Sequence, residues 1–183
     1  AVLNEYVIGG VTALSQLRNI VPGPVVGTLP KVTLMDDQLS VADLIVDEPM
    51  SLFSEALRRT RAHVDQGLRS TPSSCIVMMV TSANLGEGKS SLSLSLARTY
   101  AAAGKRVLLI DADLRKPAQH RHIGFKPDEG FLEYLKDPTE KVGVERTFYV
   151  ADPRSQTGII LGREQAELPT DQLLQTEAFS NLL

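Results

Sequence analysis

The chain has 183 residues, enough for one domain with extensions, and its 43% hydrophobic and 22% charged residues are ordinary for a globular protein. A formal net charge of −3 implies no general attraction to nucleic acid. The single cysteine, Cys75, excludes a disulfide framework and fits a reducing compartment. No apolar run approaches the ~20 residues that span a bilayer, and no secretory-signal pattern is visible.

In chain order, residues 1–50 read as a lead-in segment. Thr12 to Ile20 fits a short helix, broken by Val21-Pro22-Gly23-Pro24. Val25 to Pro30 reads as extended, and residues 31–49 read as loop. Residues 51–183 read as the main domain. Ser51 to about Gly67 is predicted to be a helix, with Ser51 as N-cap and Leu52, Phe53, Ala56, Leu57 and Val64 as its apolar side. Glu55, Arg58 and Arg61 recur every three residues. Taken alone, that trio is a solvated face on which Glu55 meets Arg58. His63 reads as surface or half-buried.

Cys75 to Val80 is an apolar run bounded by polar residues, predicted to be a buried strand. Ala83-Asn84-Leu85-Gly86-Glu87-Gly88-Lys89-Ser90 then fits a P-loop. Gly86 and Gly88 allow the tight turn that aims successive N–H groups at an anion. Lys89 is positioned to reach β- and γ-phosphates, Ser90 to join the shell of Mg²⁺, and the next helix to point its positive end at the same phosphates. Ser91 extends the motif. Leu92, Leu94 and Leu96 alternate with serines, a strand-like period. A helix is still expected, because Leu92, Leu96, Tyr100 and Ala103 share a helical face and Gly104 stops it.

Val107 to Ile110 is a second apolar run, so a βαβ unit and a parallel sheet follow. It ends in Asp111-Ala112-Asp113, and ligands of open parallel sheets bind at strand C-termini. The pair is able to hold Mg²⁺ or take a proton, or else to cap the next turn. Lys116-Pro117 opens a loop or short helix. His120 and His122 are too poorly spaced for a metal pair and read as surface residues. Gly130 to Leu135 reads as a short helix and Thr147 to Val150 as a strand. Gln156 to Glu167 reads as loop, although Ile159 to Leu161 suits a strand. Asp171 to Leu183 reads as one helix.

The stretches A-N-L-G-E-G-K-S-S and V-L-L-I-D-A-D-L-R-K-P together resemble the Walker A and Walker A′ motifs of bacterial tyrosine kinases, the cytoplasmic ATPase domains of capsular and exopolysaccharide co-polymerases. Val25 to Pro30 resembles a segment that follows the second membrane span of fused members, and L-P-T-D-Q-L-L resembles the family's late helix. Ala83 replaces the generic first Gly, and Leu85 a frequent Pro. Asn84 stands where partitioning ATPases carry a signature Lys, which favours the kinase branch.

The resemblance implies an α/β P-loop fold with a mostly parallel sheet and helices on both faces. It implies ATP and Mg²⁺ as cofactors, with ATP-dependent phosphorylation of protein tyrosine to regulate polysaccharide assembly and export. Residues 83–91 and Arg115 would bind nucleotide. Lys89, Asp111 and Asp113 would be catalytic, and Ser90, Asp111 and Asp113 would hold the metal. Asp111 is assigned as base and Asp113 as ligand through water, roles the spacing leaves exchangeable. Glu55, Arg58 and Arg61 match the family's E-x2-R-x2-R oligomerisation motif. A membrane co-polymerase part and a cognate tyrosine phosphatase are implied partners, at the cytoplasmic face of the inner membrane. The Walker B strand and the tyrosine cluster are expected beyond residue 183, so the chain is expected to be a piece of a longer protein. The alternatives are a nucleotide-switched assembly ATPase without kinase activity and a spatial-partitioning ATPase.

Overall fold

The computed structural model describes residues 15–16, 20–21, 23–34, 40–69, 75–136, 148–162 and 170–182. The expected N-terminal helix falls mostly outside them.

Regular structure at Val41–Asp47 corrects that part of the loop reading of 31–49. A 3-10 turn, Val41–Asp43, runs into helix α1, Leu44–Asp47. Ser40 and Asp43 form a reciprocal capping box. The Ser40 hydroxyl accepts the Ala42 N–H at 3.3 Å, and Asp43 accepts the Ser40 N–H at 2.9 Å. Helix α2, Leu52–Leu68, begins at the predicted N-cap, where Ser51 accepts the Ser54 N–H. Phe53, Ser54, Leu57 and Thr60 form its buried face, while Leu52 is 81% exposed.

Helix α3, Lys89–Ala102, follows the glycine loop. Its Leu/Ser alternation is compatible with a helix because the hydroxyls bond back one turn. Ser93 donates to the Lys89 carbonyl, Ser95 to Ser91 and Thr99 to Ser95, each at 2.7 Å. The serines can therefore be buried, and the helix is enclosed from Leu94 to Thr99. Gly104, at φ 76°, stands two residues past its end and turns the chain toward β1, Val107–Ile110.

After β1 come helices α4, Gln119–Ile123, and α5, Phe131–Lys136. Strands β2, Val150–Ala151, and β3, Thr157–Ile160, follow, then helices α6, Thr170–Leu174, and α7, Glu177–Leu182. The sheet order is β1-β3-β2. Strand β3 pairs parallel with β1, Val107 opposite Thr157, and antiparallel with β2, Val150 opposite Ile159. The stretch read as loop is thus the central strand. Alternate β3 residues serve opposite faces. Ile159 packs with Ala42, Leu94 and Leu161, whereas Ile160 packs with Leu114, Phe131, Leu132, Leu135 and Leu173. Helices cover both faces, as the fold class requires. The final helix is broken in two at Gln175-Thr176.

The run Cys75–Val80 is not a buried strand. Among the described residues it forms no strand ladder, Cys75 is exposed, and Ile76, Val77 and Met79 are 51%, 61% and 85% exposed. Apolar composition alone does not make a strand, because a strand exists only through the ladder it shares with another.

Arg98 of α3 ties three segments together. It is 1% exposed and lies 2.5 Å from Asp43 and 2.8 Å from Asp152, which starts the β2–β3 turn. Burial alone would make it less basic, but the hydrogen bonds to Asp152 and Asp43 outweigh that and raise its pKa.

Candidate nucleotide site

The loop before α3 makes its turns with glycines at positive φ, Gly86 at 80° and Gly88 at 86°, the latter as the helix N-cap. A side chain would be strained at either position. Glu87 folds back over the loop. Its carboxylate accepts the Asn84 N–H at 3.0 Å and the Asn84 side-chain amide at 3.1 Å, and these bonds hold it below the usual carboxylate range. Lys89, Ser90 and Ser91 form the first turn of α3, so their backbone amides belong to the unpaired positive end of the helix.

Strand β1 delivers the two aspartates to this end of α3, as the sequence predicts, but to different depths. Asp113 lies on the cleft with one carboxylate oxygen 2.7 Å from the Lys89 ammonium. Its other oxygen accepts the Lys116 and Arg115 N–H groups. Burial would raise its pKa, yet Lys89 and these amides prevail and lower it. Asp111 is 5% exposed, and its Oδ2 accepts the Ala118 and Gln119 N–H groups at 2.9 Å each, at the start of α4. Burial raises its pKa despite those amides. Asp111 thus anchors α4 and is not among the residues lining the cleft, while Asp113 is.

Two depressions meet at Lys89, Arg115 and Lys116. One, of about 370 Å³, is walled by Thr81 to Leu85 and Asp113. The other, of about 810 Å³, runs from Gly86, Gly88 and Ser90 along α4. All the residues expected to bind nucleotide except Glu87 line one or the other.

The sequence reading missed Gln119. It is 3% exposed, its side-chain amide donates to the Ser90 carbonyl at 2.9 Å, and its buried Oε1 has no partner among the described residues. It also missed Gly162. A Cβ there would lie 2.3 Å from Pro117 Cβ and 3.4 Å from Asp111 Oδ2, so only glycine lets β3's exit pass under the site. Neither carries a motif signal. His120 and His122 are half-buried rather than on the surface. Nδ1 of His122 lies 3.0 Å from the Ser40 hydroxyl, and the buried Nδ1 of His120 has no partner among the described residues. Burial lowers the pKa of both.

On α2, Glu55 pairs with Arg58 at 2.8 Å and with Arg59 at 3.1 Å, so the predicted contact forms. Arg61 turns away from them and lies 5.9 Å from the ring centre of Tyr100 on α3. The Tyr100 hydroxyl donates to Asp65 at 2.9 Å, and burial together with that bond pushes its pKa up to about 12.

Comparison with known proteins agrees with this geometry. Residues 78–175 match the CobQ/CobB/MinD/ParA nucleotide binding domain. The succinoglycan biosynthesis transport protein ExoP of Rhizobium meliloti is 34% identical over 143 residues, 76% of this chain and 17% of that protein. The tyrosine-protein kinase YwqD of Bacillus subtilis is 46% identical over 97 residues, 50% of this chain and 38% of that protein. The chain therefore spans well under half the length of either relative. The kinase domain of the Escherichia coli tyrosine kinase ETK superposes with a TM-score of 0.77 at 26% identity, covering 94% of this chain and 68% of that one. The chain belongs to the CobQ/CobB/MinD/ParA nucleotide-binding family, and the proteins it is similar to include ones named tyrosine kinases.

Proposed function

We propose that the chain carries the nucleotide-binding and phosphotransfer part of an ATP-dependent protein-tyrosine kinase that regulates exopolysaccharide or capsule assembly and export. The observation that supports it most is the pairing of Lys89 with Asp113 at the amino end of α3, where a triphosphate would bind. Relatives named as tyrosine kinases supply the reaction class. ATP would bind along residues 83–91 with Arg115. Lys89 and the loop amides would stabilise the charge that spreads over the transferring phosphoryl group, where catalysis of this reaction mostly lies.

The residues present fit Mg²⁺. Ser90 and Asp113 are hard oxygen donors, and the orphaned Oε1 of Gln119, whose amide is bonded to Ser90, can receive a metal-bound water. When bound, the ion would neutralise phosphate charge. A tyrosine hydroxyl, with pKa near ~10, benefits from a base. The two aspartates are pushed apart, Asp111 toward holding a proton and Asp113 toward staying ionised. That division supports Asp113, on the cleft, as the charged ligand. Asp111 as the base rests on the family resemblance, since it is buried at the anchor of α4.

Self-association through Glu55, Arg58 and Arg61, a membrane co-polymerase partner at the cytoplasmic face of the inner membrane and a cognate tyrosine phosphatase complete the proposal. Among the described residues no helix is long and apolar enough to cross a membrane. A second reading, an assembly switch without kinase activity, draws on the Arg61–Tyr100 contact, which couples α2 to the P-loop helix. Incubation with γ-labelled ATP separates the two. Label on protein tyrosine supports the kinase, and release of free phosphate alone supports the switch.

A further inference from the structure

The larger depression holds more positive charge than a nucleotide uses. Lys89 is already matched by Asp113, and a triphosphate with its metal would occupy the loop amides and Ser90. Yet beyond Arg115, which the nucleotide takes, the described residues lining the depression also include Lys116, Arg121 and Lys126, all exposed, and no carboxylate. This concentration stands out in a chain of net charge −3. None of these three forms an ion pair with another described residue.

Local structure brings them together. Arg121 lies in α4, whose start is fixed by Asp111. Gly124, at φ 69°, ends α4 in the left-handed conformation, and the Phe125 N–H bonds back to the His120 carbonyl at 3.1 Å. That reversal returns Lys126 to the wall that Arg121 occupies. Phe125, between them in the chain, is 48% exposed. His120 and His122, also in the wall, have lowered basicity, so the fixed charges are those of arginine and lysine.

We propose that the α4 wall, through Arg121 and Lys126, docks the phosphate acceptor as a peptide segment whose target tyrosine is flanked by acidic residues. This rests on the kinase reading and names its substrate class. The wall is concave and leads directly to Lys89 and Ser90, so a chain entering along it brings a side chain to the phosphates. A bilayer surface does not enter a concave cleft, and a nucleic acid is repelled by the molecule as a whole. Acidic side chains match the exposed cations. Each exposed pair is weak alone, but several in one groove add up and raise the association rate.

The test uses two labelled peptides, one tyrosine flanked by three glutamates on each side and one by three serines. Their binding to the 183-residue chain is read by fluorescence anisotropy, with a non-hydrolysable ATP analogue and Mg²⁺ at moderate salt. The acidic peptide is expected to bind about five- to tenfold more tightly, with a preference that fades as salt rises. Arg121→Ala with Lys126→Ala should abolish the preference and leave affinity for the analogue within about twofold. Arg121→Glu with Lys126→Glu should transfer the preference to a lysine-flanked peptide. Equal binding of the first two peptides overturns the proposal, as does loss of analogue binding in the alanine variant, which would give these cations to the nucleotide. Phosphatidylserine vesicles that bind the chain through the same residues, with no peptide preference, would overturn it in favour of a membrane face. Failure of the two ideas is distinguishable. Phosphotransfer to both peptides without an affinity difference sinks only the docking wall. A peptide preference with no transfer of label to tyrosine sinks only the kinase reading.

Discussion

The ammonium of Lys89 and a carboxylate oxygen of Asp113 stand 2.7 Å apart, joining the first residue of α3 to the loop that leaves β1. An incoming phosphate would share Lys89 with that carboxylate. Lys89→Ala removes the charge facing the phosphates, and ATP affinity should fall at least about tenfold, read by calorimetric titration. Unchanged affinity would mean that the glycine loop does not hold a triphosphate.

Asp111→Asn and Asp113→Asn should separate the two aspartates. Asn at 111 still accepts the Ala118 and Gln119 amides and so preserves the anchor of α4. It should lower phosphotransfer far more than it lowers nucleotide binding. Asn at 113 weakens the hold on Lys89 and on the metal, so nucleotide binding should weaken as well, most clearly as magnesium is titrated. The reverse ranking would exchange the two roles, which the sequence spacing had left open.

What the sequence made legible was local. Gly88-Lys89-Ser90 announced the start of α3, and Val107 to Ile110 was a plain apolar strand ending in ligand-type carboxylates. The central strand was hidden because Thr157–Ile160 is short, contains Gly158, and owes its place to ladders with both β1 and β2. The Cys75–Val80 run failed for the converse reason, since its composition suits a strand but it forms no ladder with a described strand. Ser40-x-x-Asp43 was a readable cap that was passed over. The Arg98 contacts join residues 54 and 55 positions apart, and no periodicity can show that.

That buried triad carries a stability prediction. Arg98→Met would leave Asp152 in the interior without its cation and Asp43 with only Arg154, 3.4 Å away, and losing one partner of a buried ion pair costs about 3–5 kcal/mol. Urea denaturation should show a loss of this size or outright unfolding. Adding Asp43→Asn and Asp152→Asn to Arg98→Met removes the stranded charges and should recover about half of the loss. A mild effect of Arg98→Met alone would mean that water reaches both carboxylates.

The α2 charges lead to a graded expectation for assembly. Glu55 and Arg58 are partly exposed. Arg58 pairs with Glu55 and donates to the Pro49 carbonyl at 2.5 Å just before the helix, both at the surface, so Arg58→Ala should disturb little inside the molecule. If this face makes a head-to-tail contact, Arg58→Ala should shift the sedimentation profile toward monomer, with ATP present, without lowering the unfolding midpoint. Arg61→Ala also removes the cation beside the Tyr100 ring, so it should lower the midpoint modestly. A wild-type protein that stays monomeric at high concentration with ATP would refute the interface.

The last expectation concerns acid. Burial lowers the pKa of His122, whose Nδ1 meets the Ser40 hydroxyl, below its ordinary value of 6.5. The folded state therefore favours the neutral ring, and the unfolded chain binds the proton more readily. The stability this contributes is fully present above the unfolded pKa and is lost as pH falls from about 6.5 toward the folded value, by up to about 1.4 kcal/mol per pH unit for one group. His120, lowered by burial and by Arg121 and Lys126, adds in the same direction. Asp111 acts with the opposite sign, because its raised pKa makes the folded protein gain from acid. Thermal midpoints measured from pH 7.5 to 5.5 should fall, and His122→Asn should flatten that fall while keeping a polar group beside Ser40. An unaltered slope in the variant would place the acid sensitivity elsewhere.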